Sequence, residues 1–430
     1  MKAKKSLVLV LCVALLLSLF AGCQSDPVTS DTQPDTVPGT GPNDTDPTAG
    51  PTEPTEPKLE GYDLDTFTQN MFSGDTVYYD SVCFAEGADG SVSDGVLLYA
   101  PTKILSVCST DMKTVYEEGT DFVVEGNRII RTENSRIPVF KYADYCKPYT
   151  NDPATAWVQI VGTDLELILS PKMMSCQVFV SYTHAGTWEG AVATSQMSYL
   201  PKTSRKLDSQ DPLNIVFFGD SIICGWDASG QDETVVQWQD DTLIHAVSNR
   251  APYMPSWAEM VTAKLRQTYG YDEITKINRG SGGTASSWGR YAASKWVNPE
   301  DPDLVVIAFG MNQPQSTQSQ FKYDIKSMIA TVLEAHPDAE FLLVSCMMPN
   351  TAAVNFAQHL LAEQEAALYE IQQEMAEQGV GVGVVPVHSV FASMAAAGKK
   401  YIDYTSNNIN HPNDFASRVY AQLILAALEG

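Results

Sequence analysis

The sequence of 430 residues is long enough to form more than one globular core. It carries 52 acidic and 27 basic residues, and the resulting formal net charge of −25 argues against nucleic acid and anionic lipid headgroups as partners. Its eight cysteines form no CxxC pair and no zinc-type spacing, so we expect neither a metal site nor a cofactor.

The first 23 residues have the pattern of a bacterial export signal. A lysine-rich start precedes an apolar run from Ser6 to Phe20, which is short for a transmembrane helix. The run ends in FAGC, which resembles a lipobox with phenylalanine in place of the usual leucine. We therefore expect Cys23 to be lipidated and to hold the protein on the extracellular face of the cytoplasmic membrane. An ordinary secretory signal is the alternative, and it would release the protein.

Residues 24–60 are predicted to be a disordered linker. They are almost wholly Pro, Thr, Asp, Gly and Glu, without aromatic residues or apolar periodicity. Such a segment cannot bury enough apolar surface to offset the entropy lost on ordering. A tether of this kind suits a large, fixed substrate, such as cell wall or polysaccharide.

Residues 61–206 are predicted to form an all-β domain. Short strand-like runs recur between turn residues, at 92–99, 122–124, 128–131, 137–140, 157–161, 165–169 and 177–182. This spacing is typical of a β-sandwich. The polar stretch 200–212, with a proline near each end, is the predicted boundary, so the second domain covers residues 212–430.

The second domain alternates strand-like and helix-like patterns. Strand-like runs occur at 213–218, 274–277, 304–308, 341–345 and 380–387, with helical periodicity between them and a loop-rich stretch up to Pro255. Ser256 and Glu259 form a capping-box pattern at the start of one helix, and Gly270 is placed to end it. The alternation predicts a parallel sheet covered by helices on both faces, a three-layer α/β/α fold.

The first of these strands runs directly into Gly219, Asp220 and Ser221. A strand that ends in a tight glycine-containing turn lifts the next side chain from the sheet edge, where a nucleophilic serine must stand. The same tripeptide also makes ordinary turns and helix caps, so alone it is a weak signal. Three further segments follow, namely KINRGSGGT at 276–284, VVIAFGMN at 305–312 and NINHP at 408–412.

Together the four segments resemble the blocks of the SGNH (GDSL-like) hydrolase family, over about residues 213–428. The resemblance implies that Ser221 is the nucleophile and His411 the general base. The N–H groups of Ser221 and Gly283 and the amide of Asn312 would then bind the oxyanion. It also implies five strands in flavodoxin-like order, which brings the first three segments to one sheet edge. With the β-rich half, the chain is similar to two-domain bacterial carbohydrate esterases with a jelly-roll-like accessory domain.

One position departs from the family pattern. The family usually has an aspartate three residues before the histidine, and that position here is Asn408. An amide can accept the Nδ1 hydrogen bond of His411 but carries no charge to stabilise an imidazolium. We expect Asn408 or a main-chain carbonyl to orient the imidazole, and Asp403 is the alternative acid. Asp414 fits better as a helix-start acid.

Two tryptophans are candidates for lining the substrate cleft. Trp226 lies five residues beyond Ser221, and Trp288 lies five residues beyond Gly283. Either indole could stack on a sugar face, and packing in the core is the alternative for both.

These patterns predict a surface-tethered serine esterase that removes short acyl groups, mainly acetyl, from carbohydrate or polysaccharide. The crowding of Gly, Ser and Thr at 280–287 leaves little side-chain volume in the cleft and favours short acyl groups. A lysophospholipase or other lipid esterase would keep the same chemistry with another substrate. A carbohydrate-binding lipoprotein on a degenerate hydrolase scaffold is the non-enzymatic alternative, which Asn408 and the β-rich N-terminal half motivate.

Overall fold

Three stretches of the chain are described by the computed structural model, namely residues 63–152, 156–313 and 316–429. The predicted signal sequence, its Cys23 and the predicted linker at 24–60 lie outside the described residues. The described residues within 61–150 and 156–430 cluster into one compact unit, which contains both the β-rich region and the α/β region.

The N-terminal part of this unit consists mostly of short antiparallel strands. They are β1 Thr76–Cys83, β2 Gly95–Val96, β3 Pro101–Ser109, β4 Phe122–Glu125, β5 Arg128–Arg131, β6 Cys146–Pro148, β7 Trp157–Gln159, β8 Leu165–Ile168 and β9 Gln177–His184. These strands form three sheets with the orders β1-β9-β3, β2-β5-β4 and β6-β8-β7. The described helices here are α1 Leu64–Thr68 and α2 Tyr142–Tyr145. The predicted strand-rich character of this region is confirmed.

The C-terminal part alternates strands and helices. Its strands are β10 Leu213–Gly219, β11 Asp232–Gln237, β12 Thr242–Val247, β13 Ile274–Asn278, β14 Leu304–Ala308, β15 Glu340–Val344 and β16 Val382–Val385. Its helices are α3 Pro201–Ser209, α4 Trp257–Tyr269, α5 Ser286–Trp296, α6 Gln318–Ala335, α7 Leu361–Glu377, α8 Val387–Ala396, α9 Tyr401–Tyr404 and α10 Asp414–Leu428. Helix α3 lies within the polar stretch that the sequence analysis took as a domain boundary.

Five parallel strands form the central sheet, in the order β13-β10-β14-β15-β16. Ile215 and Phe217 of β10 pack into one core, whereas Val216 and Phe218 pack into the core on the other face. This period of two, with both faces apolar, is what a sheet between two helical layers requires. The expected flavodoxin-like order of five strands is confirmed, and it places the ends of β13, β10 and β14 side by side.

Helix α4 begins and ends as predicted. The Ser256 hydroxyl accepts a hydrogen bond from the N–H of Glu259 at 3.2 Å, and Gly270 ends the helix with a φ of +70°. Because left-handed φ values suit glycine, this residue stops the helix at low cost.

The stretch between β10 and α4, which was expected to be loop-rich, contains the antiparallel hairpin β11–β12. Val236 of this hairpin also bridges to Ser281 in the loop after β13. The alternation of apolar and polar residues in this segment is short and irregular, which explains its weak strand signal.

The β-rich and α/β regions share one hydrophobic core and several buried polar contacts. The Arg418 side chain on α10 donates to the carbonyl oxygens of Phe67 at 3.1 Å and Tyr78 at 2.9 Å. Lys399 forms an ion pair with Asp80 of β1 at 2.7 Å, and both side chains are fully buried. The β-rich region therefore contributes directly to the packing of the helices that carry the C-terminal motif.

Across the described part of the chain, no helix combines the length and apolarity needed to cross a membrane. The six cysteines in the described ranges are free thiols, and Cys224 and Cys346 are among those that are buried. Their burial agrees with a packing role for both side chains.

Candidate active site

Ser221 stands immediately beyond the C-terminal end of β10. A Cβ atom at Gly219, the last residue of β10, would lie 2.1 Å from the carbonyl oxygen of Ala308 on the neighbouring strand β14. Only glycine allows this close approach of the two backbones. The tight turn that follows carries Ser221 to the sheet edge, as the sequence predicted.

His411 is held by a compact loop that precedes α10. The Oδ1 atom of Asn407 accepts hydrogen bonds from three successive N–H groups, those of Ile409 at 3.0 Å, Asn410 at 3.0 Å and His411 at 3.2 Å. The loop backbone also closes on itself, since the Ser406 N–H donates to the His411 carbonyl at 2.9 Å. These hydrogen bonds restrict the conformation of the backbone that carries the His411 imidazole.

The imidazole of His411 connects Ser221 to Asp227. Its Nε2 atom lies 3.0 Å from Ser221 Oγ, and its Nδ1 atom lies 3.0 Å from Asp227 Oδ2. A carboxylate accepts, so Nδ1 carries the hydrogen in this arrangement and Nε2 is left to accept the serine proton. The three side chains therefore have the geometry of a Ser-His-Asp triad.

Asp227 is held in its charged form by its surroundings. Burial opposes ionisation, but the hydrogen bonds from His411 and Ser406 and the positive charge of Arg250 outweigh it, so the pKa of Asp227 is lowered. The Ser406 hydroxyl donates to Oδ2 at 2.7 Å, and Arg250 Nη2 donates to the Asp227 carbonyl at 2.9 Å. A permanent negative charge beside Nδ1 stabilises the imidazolium that forms during acyl transfer.

Hydrogen bonds tie together the three segments that follow β10, β13 and β14. The N–H of Ser281 donates to the Gly219 carbonyl at 2.9 Å, and Asn312 Nδ2 donates to the Thr284 carbonyl at 3.1 Å. The N–H of Met311 lies 3.4 Å from Asp220 Oδ2. Hydrogen bonds therefore connect the nucleophile turn to both candidate oxyanion segments, and connect those two segments to each other, at one edge of the sheet.

The candidate oxyanion donors lie in these linked segments. Gly283 has a φ of +74°, and a Cβ atom there would meet nothing within 4 Å, so its backbone borders open space. The bond to Thr284 fixes the Asn312 amide and uses one of its two N–H hydrogens, leaving the second for a substrate oxygen. With the N–H of Ser221, these groups match the donors that a tetrahedral oxyanion requires.

The sequence model of the GDSL-like lipase/acylhydrolase family matches residues 217–419. These residues include the serine, the triad acid, the oxyanion candidates and the histidine. Residues 217–419, slightly less than half of the chain, are therefore similar to a GDSL-like lipase/acylhydrolase, and we call them the acylhydrolase domain. The match and the triad geometry both support the chemistry of a serine ester hydrolase.

Solved structures resemble about half of the chain at low sequence identity. A two-domain esterase active on acetylated mannans is 18% identical, with 55% of this chain and 54% of that chain covered and a TM-score of 0.38. An acetylxylan esterase from Geobacillus stearothermophilus is 15% identical, with coverages of 51% and 94% and a TM-score of 0.37. A lipase/acylhydrolase from Enterococcus faecalis is 21% identical, with coverages of 50% and 93% and a TM-score of 0.35.

The alignment spans about half the length of the two-domain esterase. No curated protein matches the sequence.

In the acylhydrolase domain, the acid beside the histidine is Asp227, which corrects the expectation of Asn408. Asn408 adopts a left-handed φ of +71°, and its carbonyl accepts from Asn350 Nδ2 at 2.9 Å. Its role is therefore in the backbone of the His411 loop, where asparagine tolerates this conformation better than most residues. The other expectation was that a main-chain carbonyl orients His411. It is also wrong, because the Asp227 carboxylate accepts the hydrogen bond from Nδ1.

The alternative acid Asp403 is also excluded as the partner of His411. Its carboxylate accepts hydrogen bonds from the N–H groups of Cys83 and Lys400, both at 2.8 Å. Asp414 lies in the first turn of α10, as expected, and accepts from the Ser229 N–H at 3.0 Å. Both carboxylates therefore hold backbone segments in place by accepting hydrogen bonds from N–H groups.

The two candidate tryptophans pack against apolar clusters. Trp226 contacts a small cluster that includes Cys224 and Val235, next to the β11–β12 hairpin. Trp288 packs on Phe218, with ring centroids 5.6 Å apart. Both indoles remain partly exposed, and their contacts favour the packing interpretation that the sequence analysis gave as the alternative.

Sequence reasoning missed Asp227 and Asn407. Asp227 follows the nucleophile by six residues and has a φ of +71°, and no spacing rule from the histidine points to it. Asn407 lies next to the expected acid position, and an asparagine before a tight loop is a known backbone-capping signal. That signal was available in the sequence SNNINHP.

Proposed function

We propose that the protein is a cell-surface serine esterase that removes short acyl groups, mainly acetyl, from carbohydrate. The observation that carries this proposal is the His411 imidazole, which lies 3.0 Å from Ser221 Oγ and 3.0 Å from the Asp227 carboxylate. A hydroxyl becomes a competent nucleophile at neutral pH when a base within this distance takes its proton.

The chemistry proceeds in two steps. Ser221 Oγ attacks the ester carbonyl while His411 Nε2 takes the hydroxyl proton, and the carbonyl oxygen becomes an oxyanion. His411 then returns the proton to the departing sugar hydroxyl, which leaves an acyl group on Ser221. A water molecule, activated by the same imidazole, releases the carboxylic acid. Each well-placed oxyanion donor is worth about 3–4 kcal/mol in the transition state.

The surroundings of the nucleophile favour a short acyl group and a polar alcohol. Gly283 has no side chain and faces open space, while Thr284 and Asn312 present polar atoms beside it. Ser406 and Asp227 are polar on the imidazole side. A long acyl chain needs extended apolar contact, and these polar groups do not supply it.

We also propose that the enzyme is tethered through a lipid on Cys23. The lipobox-like sequence and the linker at 24–60 support this location. The net charge of −25 supports it too, because an acidic protein is not attracted to anionic lipid headgroups and needs a tether to stay at the membrane. Replacement of Cys23 by serine should shift the protein from the membrane fraction to the medium.

Acetate release from O-acetylated polysaccharides tests the proposed substrate. The chain from residue 59 to residue 430 should release acetate, and Ser221→Ala should not. An ester series from acetate to long-chain lysophospholipid sets the acyl preference. A rate that rises with chain length would replace the carbohydrate proposal with the lipid esterase.

The non-enzymatic alternative loses its main motivation. It rested on the missing charge at Asn408, and Asp227 supplies that charge. A folded protein that binds acetylated glycan but shows no Ser221-dependent acetate release would restore it.

A further inference from the structure

Met311 precedes the oxyanion candidate Asn312, and both its backbone N–H and its carbonyl contact side chains. The N–H of Met311 lies 3.4 Å from Asp220 Oδ2, next to the nucleophile. The carbonyl of Met311 lies 2.6 Å from His359 Nε2. Asp220 is a member of the nucleophile turn, whereas His359 lies in the segment that precedes α7 and belongs to none of the four sequence motifs.

The His359 ring is a neutral donor in this contact. A carbonyl oxygen only accepts, so Nε2 must carry the hydrogen. Burial lowers the pKa of His359, which keeps the ring uncharged. Its Nδ1 atom is buried and makes no hydrogen bond within the described residues, so the 2.6 Å contact of Nε2 with the Met311 carbonyl is the main hydrogen bond of the ring. The ring also packs on Phe356, with centroids 5.1 Å apart.

The backbone before Met311 is also fixed. Gly310 has a φ of +151°, and a Cβ atom there would lie 3.0 Å from Gln364 Oε1 and 3.1 Å from Cys346 Cβ. The segment is thus pressed against α7 and the end of β15 on one side. His359 restrains the peptide group that joins Met311 to Asn312.

We propose that His359 is a positioning residue that sets the placement of the oxyanion donor Asn312. The inference rests on the proposed acyl-transfer function, in which the Asn312 amide stabilises the oxyanion. The peptide group between Met311 and Asn312 contains the carbonyl that His359 binds, so rotation of this peptide would displace the Asn312 side chain directly. A displacement of about 1 Å at a catalytic group can cost about 100-fold in rate.

Two substitutions of similar polarity separate positioning from general packing. In His359→Gln the amide nitrogen can reach the Met311 carbonyl, as Nε2 does. In His359→Asn the side chain is one methylene shorter and cannot. We expect His359→Asn to lower kcat on a short acetate ester by about 10–100-fold with KM within about twofold, and His359→Gln to retain most of the parental kcat.

A double-mutant cycle with Asn312→Ala tests the route of the effect. Asn312→Ala alone should lower kcat by about 10²–10³-fold, the usual loss for one oxyanion donor. If His359 acts through Asn312, adding His359→Asn to Asn312→Ala should lower kcat by less than about threefold further. Circular dichroism and thermal unfolding of every variant show whether the fold is kept.

Two results would overturn the inference. One is parental kcat in folded His359→Asn. The other is the same fold-loss from His359→Asn with and without Asn312. A parent without Ser221-dependent turnover would instead refute the proposed function, and this outcome is distinguishable because it concerns the parent alone.

Discussion

At the scale of single residues, the charge on Asp227 determines whether His411 can act as a base and carry a proton. The carboxylate fixes the hydrogen on Nδ1 and stabilises the imidazolium, as in serine proteases on other folds. The acid here comes from the segment just after the nucleophile. The end of β10 therefore positions both Ser221 and the segment that carries Asp227.

The first prediction concerns this acid. Asp227→Asn should lower kcat on a short acetate ester by about 10³–10⁴-fold, because the neutral amide favours the wrong tautomer and stabilises no imidazolium. Asn408→Gly is the matched control, since glycine keeps the left-handed backbone and removes only the amide. It should stay within about threefold of the parent. Equal losses in the two variants would contradict the assignment of Asp227.

A second prediction concerns Asp220, which is buried beside the nucleophile. Burial raises its pKa from an ordinary 3.8 to about 6, although N–H groups of Ile222 and Met311 and the charge of His411 partly oppose this. The folded state therefore favours the protonated form. The stability that this gives is present below about pH 3.8 and is lost as the pH rises through about 6.

Asp220→Asn removes this titration. The free energy of unfolding of the variant minus that of the parent should therefore increase, by about 3 kcal/mol, between about pH 4 and pH 7. Hydrogen bonds lost in the variant shift its free energy of unfolding by the same amount at every pH, so they do not change this pH dependence. Urea unfolding at several pH values measures it, and a difference that stays flat with pH would show that Asp220 is not a perturbed acid.

At the scale of elements, the loop from Thr405 to Pro412 aligns the imidazole with the strand ends. The Asn407 side chain accepts three N–H groups within it, and the two end residues form a β-bridge. The loop is thus held by its own polar groups before α10 begins. The buried Asn407 side chain makes three of these hydrogen bonds and is therefore a large part of what holds the loop.

The third prediction tests that side chain. Asn407→Ala leaves the three N–H groups without their acceptor, so kcat should fall about 10–100-fold and stability by about 2–4 kcal/mol. Asn407→Asp keeps the Oδ1 acceptor but loses the bond that Nδ2 donates to Asn410 Oδ1 at 3.1 Å, so it should recover only part of the kcat. Parental kcat in a folded Asn407→Ala variant would show that other contacts are enough to hold the loop.

Elements with strong periodicity were predictable from the sequence. The five parallel strands bury both faces, so they appear as continuous apolar runs, and the motifs at the ends of β10, β13 and β14 marked the site. Asp227 was not predictable, because a triad acid is defined by its position in space and its separation from the histidine along the chain is free. The β11–β12 hairpin was missed because its pattern is short and partly exposed.

At the scale of the whole molecule, the β-rich region and the acylhydrolase domain are joined by buried charge as well as by apolar packing. Lys399 Nζ lies 2.7 Å from Asp80 Oδ1 and 3.0 Å from the Val96 carbonyl. Asp80 also accepts from the Leu98 N–H and the Tyr182 hydroxyl, both at 2.9 Å. A buried charge with this many partners is costly to leave unpaired.

The fourth prediction follows from this contact. Lys399→Met should lower the free energy of unfolding by about 3–5 kcal/mol, because it leaves the Asp80 carboxylate buried without its cation. Lys322→Met is the matched control, since Lys322 pairs with the partly exposed Glu370 and Glu374 at the surface, and it should cost at most about 1 kcal/mol. Similar losses in urea unfolding of the two variants would contradict a structural role for the pair.

The central claim is that Ser221 and His411 carry out ester hydrolysis. Turnover of a short chromogenic acetate ester by the chain from residue 59 to residue 430 tests it most directly, beside Ser221→Ala and His411→Ala. We expect turnover in the parent and a loss of at least about 10³-fold in both variants. Turnover that persists in folded Ser221→Ala, or a folded parent no faster than that variant, would contradict it.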